Sequence, residues 1–349
     1  MAYHSGIGTH IRGLMEGLAR NPRCPHLVVH VPDTCLVPHP IEAAQLFPGR
    51  LYGIRRRISL PDPGPTCLLH FPHWNVPLLG AKSPPRVVTI HDLNHLRIPE
   101  VGGSSMRRAY IRRWIWDAIR GAAAVVTGSH HAREDIIREF GCPPDRISVI
   151  GNGISQSWIP LEESELEERL ARMKIRHPYL VSVGNSKPHK NISWMVQEVT
   201  KWLDRQGLPH GIVLTSPAGK LPGRGARVVH TGPLDQSDMR AIIQGAAALI
   251  QPSLYEGFGL PVIEAQALKT PVLVSTAASL PEVSGGTSSA CLFDPRSPLE
   301  LAGALERGLD PSNRIALVTA GLANAQSHTW DAVAERLLSV WHWVLRNHP

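Results

Sequence analysis

An α/β protein with two parallel, doubly wound halves is what this sequence predicts. Three observations carry the prediction. Short apolar runs alternate with helix-patterned segments along the whole chain, one polar, acidic stretch interrupts them near the middle, and glycine-rich loops stand where strands give way to helices. Strands buried on both faces of a parallel sheet read as unbroken apolar runs. The first series is "HLVVHV" (26–31), "CLLHF" (67–71), "RVVTIH" (86–91), "AAVVTGS" (123–129) and "RISVIGNG" (146–153). The second is "YLVSVG" (179–184), "GIVLTS" (211–216), "ARVVHTG" (226–232), "AALIQPS" (247–253), "TPVLVS" (270–275) and "SACLFD" (289–294). Between them "SQSWIPLEESELEERLARMKIRHP" has the polarity of a domain boundary. The expected division is 1–160, 161–328, and a closing amphipathic helix over 329–349.

Composition agrees with a globular enzyme-sized chain. Its 349 residues suffice for two ordinary cores, and 43% hydrophobic with 19% charged residues excludes a disordered protein. The formal charge of +7 favours anionic partners without choosing among them. Five scattered cysteines (Cys24, Cys35, Cys67, Cys142, Cys291) contain no C-x-x-C pair, so neither a disulfide framework nor a zinc site is indicated and a cytoplasmic location is expected. No apolar run reaches membrane-spanning length. The histidine pairs His70 with His73 and His91 with His95 are close in sequence, but among 18 histidines close pairs are cheap. No Asp-x-Asp is present, and no metal is expected.

Ligands of open parallel sheets bind beyond the carboxyl ends of the strands, so the loops there are the ones to inspect. "VGNSKPHKN" (183–191) offers Lys187 and Lys190 to phosphate oxygens. "SGIG" (5–8), with Gly6 and Gly8, precedes a helix-like segment, and "IHDLNH" offers His91 after a strand. The densest stretch is "YEGFGLPVIEA" (255–265). There Gly257 and Gly259 permit an unusual backbone, and Pro261 suits the first turn of a helix beginning near residue 260. The backbone N–H groups of Gly257, Phe258, Gly259 and Leu260 then border an anion site. Glu256 falls in the loop and Glu264 one turn inside the helix, and eight helical residues span about 12 Å. That reach suits a ligand with a phosphate in the middle and hydroxyl groups at both ends.

Taken together, these motifs resemble the glycosyltransferases of family 4, the retaining, sugar-nucleotide-dependent group with the GT-B fold. The resemblance rests on "SGIG", "PHWNVPLL", "VVTIHDLNHLRIPE", "VVTGSHHAREDI", "VIGNGI", "VSVGNSKPHKN", "HTGPLDQSDM", "PSLYEGFGLPVIEA" and "SLPEV", in the family's order. It implies a GT-B enzyme that moves a hexosyl unit from a nucleotide-sugar donor to a glycan or lipid-linked acceptor in bacterial polysaccharide or glycoconjugate synthesis. "NVPLL" and "KPHKN" look nearest to mannosyl- or rhamnosyltransferases. By the same resemblance Glu256 contacts the transferred sugar, Glu264 holds the ribose hydroxyls, Lys190 binds phosphate, and His91 lies near the reacting sugar. Gly6 and Gly8 match the loop that lets the first domain approach it.

Three departures from the family pattern stand out. Asn185 follows Gly184 where a basic residue is usual, with Lys187 as its replacement. Lys269 occupies a helix-end position that favours glycine. Only "MAYH" precedes "SGIG", where a first strand is expected, so a product beginning about ten residues upstream is expected to be more stable through added buried area. That departure gives some force to an alternative: a catalytically weakened GT-B protein acting as a binding or scaffolding partner. A nucleic-acid binder has only charge in its favour, and an oxidoreductase lacks the third glycine after "GIGTHI". The basic segment 104–122, with Tyr110, Trp114 and Trp116, reads first as a helix packing aromatics inward and second as a surface for anionic lipid at the inner face of a membrane.

Overall fold

The computed structural model describes residues 6–25, 28–31, 42–45, 67–76, 84–216 and 227–348. The chain divides into two compact units, residues 1–155 with 328–349, and residues 156–327. The boundary lies at Ser155 and not at 160, and local bonds explain why. Arg240 donates to the Ile159 carbonyl at 2.6 Å, and Gln244 accepts from the Leu161 N–H at 2.6 Å. Both partners belong to the helix Gln236–Gln244 of the second unit, so residues 159–161 are tied there.

The first unit has a four-stranded parallel sheet in chain order: Leu69–Phe71, Arg86–Thr89, Ala124–Thr127 and Ile147–Val149. Among the described residues Val28–Val31 pairs with Glu42–Gln45 in a separate parallel pair, so the expected strand at 26–31 is not seen joined to the main sheet. The expectation about a missing first strand concerns residues outside the described ones. Helix Gly6–Arg20 packs on the closing helix Trp330–Asn347, where Leu14 and Leu18 share a core with Trp330, Val333, Leu337 and Trp341. Small residues make this possible: a Cβ on Gly13 would meet the Trp330 ring at 2.0 Å, and one on Gly17 would meet the Trp330 carbonyl oxygen at 2.4 Å. Arg20 pairs with Asp331 at 2.7 Å and Arg23 with Glu335 at the same seam.

Helix Ser105–Gly121 begins at Ser104, whose hydroxyl accepts from the Arg107 N–H. Ile111, Trp114, Ile115, Ala118 and Ile119 are buried on one face, and Trp114 Nε1 donates to the Val76 carbonyl at 3.3 Å. Met106 and Tyr110 are exposed, at 81% and 55%. Arg113 and Arg120 lie over the Trp116 ring at 4.9 and 5.1 Å. No helix among the described residues is long and apolar enough to cross a membrane.

The second unit holds a six-stranded parallel sheet. In chain order its strands are Tyr179–Ser182, Gly211–Leu214, Val228–His230, Ala248–Gln251, Val272–Ser275 and Cys291–Phe293. Across the sheet they run third, second, first, fourth, fifth, sixth. The order of strand addition therefore reverses between the first and fourth strands, and in sheets of this kind the ligand crevice lies there, at the carboxyl ends. Both faces are filled by apolar side chains, Val181, Val213, Leu249 and Val274 on one side and Leu180, Ile212, Ile250 and Leu273 on the other.

Candidate functional site

The crevice of the second unit gathers most of the expected residues. The loop after the first strand ends in a short helical turn, Pro188–Lys190, and the loop after the fourth strand carries Glu256. A backbone bond from the Leu254 N–H to the His189 carbonyl, at 2.7 Å, ties the two loops together. Lys190 Nζ consequently donates to Glu256 Oε1 at 2.6 Å, with both side chains largely buried at 17% and 12% exposure. The same oxygen accepts from Ser253 Oγ at 2.7 Å and Gln251 Nε2 at 2.8 Å. Burial alone would raise the Glu256 carboxyl, but the Lys190 ammonium and these hydrogen bonds hold it below the ordinary carboxylate range.

The glycine loop is built as the spacing suggests. Helix Leu260–Ala267 starts after Gly259, which has φ of 113°, and a Cβ there would come within 2.8 Å of Leu280. Glycine is required at that point on both counts. Ser279 fixes the loop from behind, donating to the carbonyls of Glu256 and Phe258 at 2.9 and 2.8 Å. The Phe258 ring is buried, leaving that residue its backbone to offer, while Leu260 and Gly257 are half-buried. Glu264 sits one turn into the helix, half-buried, and burial pushes its carboxyl up to about 8. Lys187 is exposed, its N–H bonded to Asn185 Oδ1 at 3.2 Å, so Asn185 shapes the turn that presents the lysine.

His91, Gly6 and Gly8 belong to the first unit. Gly6 and Gly8 are the first and third residues of helix Gly6–Arg20, a first turn where a preceding loop was expected. His91 Nε2 donates to the Pro72 carbonyl at 2.9 Å, which leaves Nδ1 with the lone pair. Around it stand His10, with ring centroids 4.7 Å apart, and His73, at 6.4 Å. His10 Nδ1 donates to Asn152 Oδ1 at 2.5 Å, and His70 bonds Thr89 Oγ1 at 2.8 Å. Burial first, and neighbouring imidazoles second, lower His10 and His70 to about 3 and His73 to about 4. For His91 burial also leads, against the Pro72 bond that opposes it, giving about 4. The cluster is therefore neutral at physiological pH. Among the described residues no three His, Cys, Asp or Glu side chains are arranged to hold a metal ion.

Sequence reasoning passed over Gln251, Ser253, Ser279 and His10. A signal was present for one of them: Gln251 is the amide that ends an otherwise apolar strand, "ALIQ". Ser253 is a small polar residue like many others in loops, and the partners of His10 and Ser279 lie far along the chain, as Asn152 does from His10.

Comparison with known proteins agrees with this geometry. Residues 177–310 match the family model of the glycosyl transferases group 1, and residues 4–158 match that of glycosyltransferase family 4. The chain is 26% identical over 286 residues to O-antigen chain mannosyltransferase B of Escherichia coli, covering 78% of this chain and 74% of that one. Its fold is similar to sucrose-phosphate synthase from Thermosynechococcus elongatus, with a TM-score of 0.69 and 19% identity over 98% of this chain and 94% of that one. Anabaena HepE in complex with UDP-glucose is also similar, with a TM-score of 0.62 and 17% identity over 74% and 72% of the two chains.

Proposed function

We propose that this chain, which belongs to the group 1 and family 4 glycosyltransferases and has the GT-B fold, moves a hexosyl unit from a nucleotide-sugar to a glycan or lipid-linked acceptor in polysaccharide or glycoconjugate synthesis. One observation carries the reading: Lys190, Glu256 and the glycine-started helix with Glu264 converge at the reversal point of the second sheet. The likeness to an O-antigen mannosyltransferase supports a mannosyl unit and a polysaccharide setting, and the UDP-glucose complex of HepE supports a nucleotide-sugar donor.

In this proposal Glu264 accepts hydrogen bonds from the ribose hydroxyls, which replace the water its half-buried carboxyl otherwise needs. The diphosphate lies against the N–H groups of residues 257–260, with Lys190 and Lys187 beside it. Cleavage of the bond between sugar and phosphate leaves a second negative charge on the terminal phosphate of the departing nucleoside diphosphate. A lysine and fixed N–H donors stabilise that developing charge more than the ground state. The attacking hydroxyl passes its proton to the departing phosphate oxygen on the same face, so the anomeric configuration is retained and no protein nucleophile is assigned. His91, neutral and with Nδ1 able to accept, is assigned to a hydroxyl of the transferred sugar. No metal has a part in this scheme. Met106, Tyr110 and the arginines of helix Ser105–Gly121 are assigned to peripheral contact with an anionic membrane carrying a lipid-linked acceptor.

The test is a thermal-shift panel against UDP, GDP, ADP and dTDP and their common sugar conjugates, with Lys190→Ala and Glu264→Gln as controls. Stabilisation by one nucleotide class, weakened in both controls, is the expected result. No shift with any of them would overturn the donor assignment.

A further inference from the structure

We infer that Gln251 and Ser253 are positioning residues that hold the Glu256 carboxylate by one oxygen, leaving the other for the hydroxyls of the transferred sugar. The inference rests on the donor reading above and goes beyond it in naming what keeps the sugar-facing carboxylate in place.

The three donors to Glu256 Oε1 originate at two different strand ends of the sheet. Lys190 comes from the loop after the first strand of the sheet, whereas Gln251 and Ser253 come from the end of the fourth strand, as Glu256 does. If Lys190 binds phosphate, its ammonium is shared with or surrendered to the diphosphate. A buried carboxylate that loses its only cation and has no other donor rises in pKa and moves. Here it keeps two. Gln251 Nε2 spends one N–H on Glu256 and the other on Ser253 Oγ, at 3.0 Å, and the Ser253 carbonyl is itself held by Ser275 Oγ at 2.6 Å. Gln251, Ser253 and Ser275 are 1%, 0% and 0% exposed, so the chain of bonds is rigid and dry.

Two further facts separate positioning from ordinary packing. Every hydrogen bond of the Glu256 carboxylate from the described residues falls on Oε1 and none on Oε2. Gln251 Oε1 is buried and has no hydrogen-bond partner among the described residues. An apolar side chain of similar length would avoid that unsatisfied acceptor, so the amide lowers stability at this position and returns only its two N–H groups. Both of those point into the Glu256 network.

The experiment is calorimetric titration of the full chain, as wild type, Gln251→Met and Ser253→Ala, with UDP against UDP-glucose and GDP against GDP-mannose. Melting temperatures are recorded for each variant. For the pair that the wild type distinguishes, the preference for the sugar conjugate over the bare diphosphate is expected to fall roughly tenfold in Gln251→Met, the order of one hydrogen bond to a charged group. A smaller fall is expected in Ser253→Ala, and the affinity for the bare diphosphate stays within about twofold in both. If Gln251→Met does not fold, Ser253→Ala carries the test through the same ratio. A preserved ratio, or an equal loss for both ligands, overturns the positioning role and leaves the donor reading standing. A wild type that binds the diphosphate without preferring its conjugate also overturns the role, and one that binds none of UDP, GDP, ADP and dTDP, the last two titrated against their glucose conjugates in the same way, overturns the donor reading with it.

Discussion

Glu264 shows how a single residue ties stability to function. Its carboxyl is raised from 4.5 to about 8 by burial, so between those values the folded chain holds a proton that the unfolded chain has released. Folding stability from this group therefore falls as pH rises from about 4.5 to 8 and is level beyond. Glu264→Gln is expected to match the wild type at pH 4 and to exceed it by about 4 kcal/mol at pH 8, in urea titrations at the two values. Hydroxyl donors from a ribose favour the ionised form, so bound nucleotide should erase part of that difference. Lys269 is the second instructive residue. It has φ of 61°, and with Thr270 it closes the helix by two reciprocal bonds, Lys269 N–H to Gln266 O and Thr270 N–H to Ala265 O. The backbone at this position does not avoid the left-handed region that favours glycine. Lys269→Gly removes a strain of about 1 kcal/mol and adds a comparable chain entropy, so its expected stability change is within about 0.5 kcal/mol of zero or favourable. A loss above 1 kcal/mol in a denaturation curve would show that the lysine side chain contributes.

Between elements, the seam of Gly6–Arg20 against Trp330–Asn347 gives the sharpest sign test. Glycine to alanine inside a helix ordinarily gains about 1 kcal/mol. At Gly17 the added Cβ would lie 2.4 Å from the Trp330 carbonyl oxygen, which is backbone and cannot swing away. Gly17→Ala is therefore expected to destabilise by about 1–3 kcal/mol, read from urea unfolding. Helix Ser105–Gly121 offers a different test. Arg112 is paired with Glu139 at 2.6 Å, Arg113 with Asp117 at 3.3 Å, and Arg108 is held by the Gly103 carbonyl at 2.5 Å, whereas Arg107 has no ion pair among the described residues. Sedimentation with anionic liposomes should fall when Arg107, Arg108, Arg112 and Arg113 are neutralised together, with Arg107 the largest single contributor. Sedimentation equal to that of the unaltered chain would remove the membrane from the proposal.

For the molecule as a whole, titration separates the two units. His10, His70, His73 and His91 all lie in the first, and each is lowered from 6.5 to about 3 or 4 by burial. A histidine held neutral by folding contributes stability above its unfolded pKa and loses it as pH falls. The loss is on the order of 1 kcal/mol per pH unit for each group. Residues 1–155 and 328–349 should consequently open before residues 156–327 at about pH 5, as hydrogen exchange resolved by segment would record. Uniform protection across the chain at that pH would contradict the shifts. Much of this architecture was legible beforehand. The strand runs and the helix starting near 260 follow from local apolar period and glycine placement, which act over a few residues, while the choice of Lys190, Glu256 and Glu264 rests also on the family resemblance. What local pattern could not supply was pairing over distance: Lys190 with Glu256 across 66 residues, Ser279 with the loop 23 residues earlier, His10 with Asn152 across 142 residues, and Gly13 with Trp330. The order of the chain determined two parallel sheets and the loops that serve them, because burial and backbone geometry are written residue by residue. Only the tertiary structure decided which polar groups meet at the reversal point and which histidines stay neutral, because desolvation and hydrogen bonding depend on neighbours that the sequence places far apart.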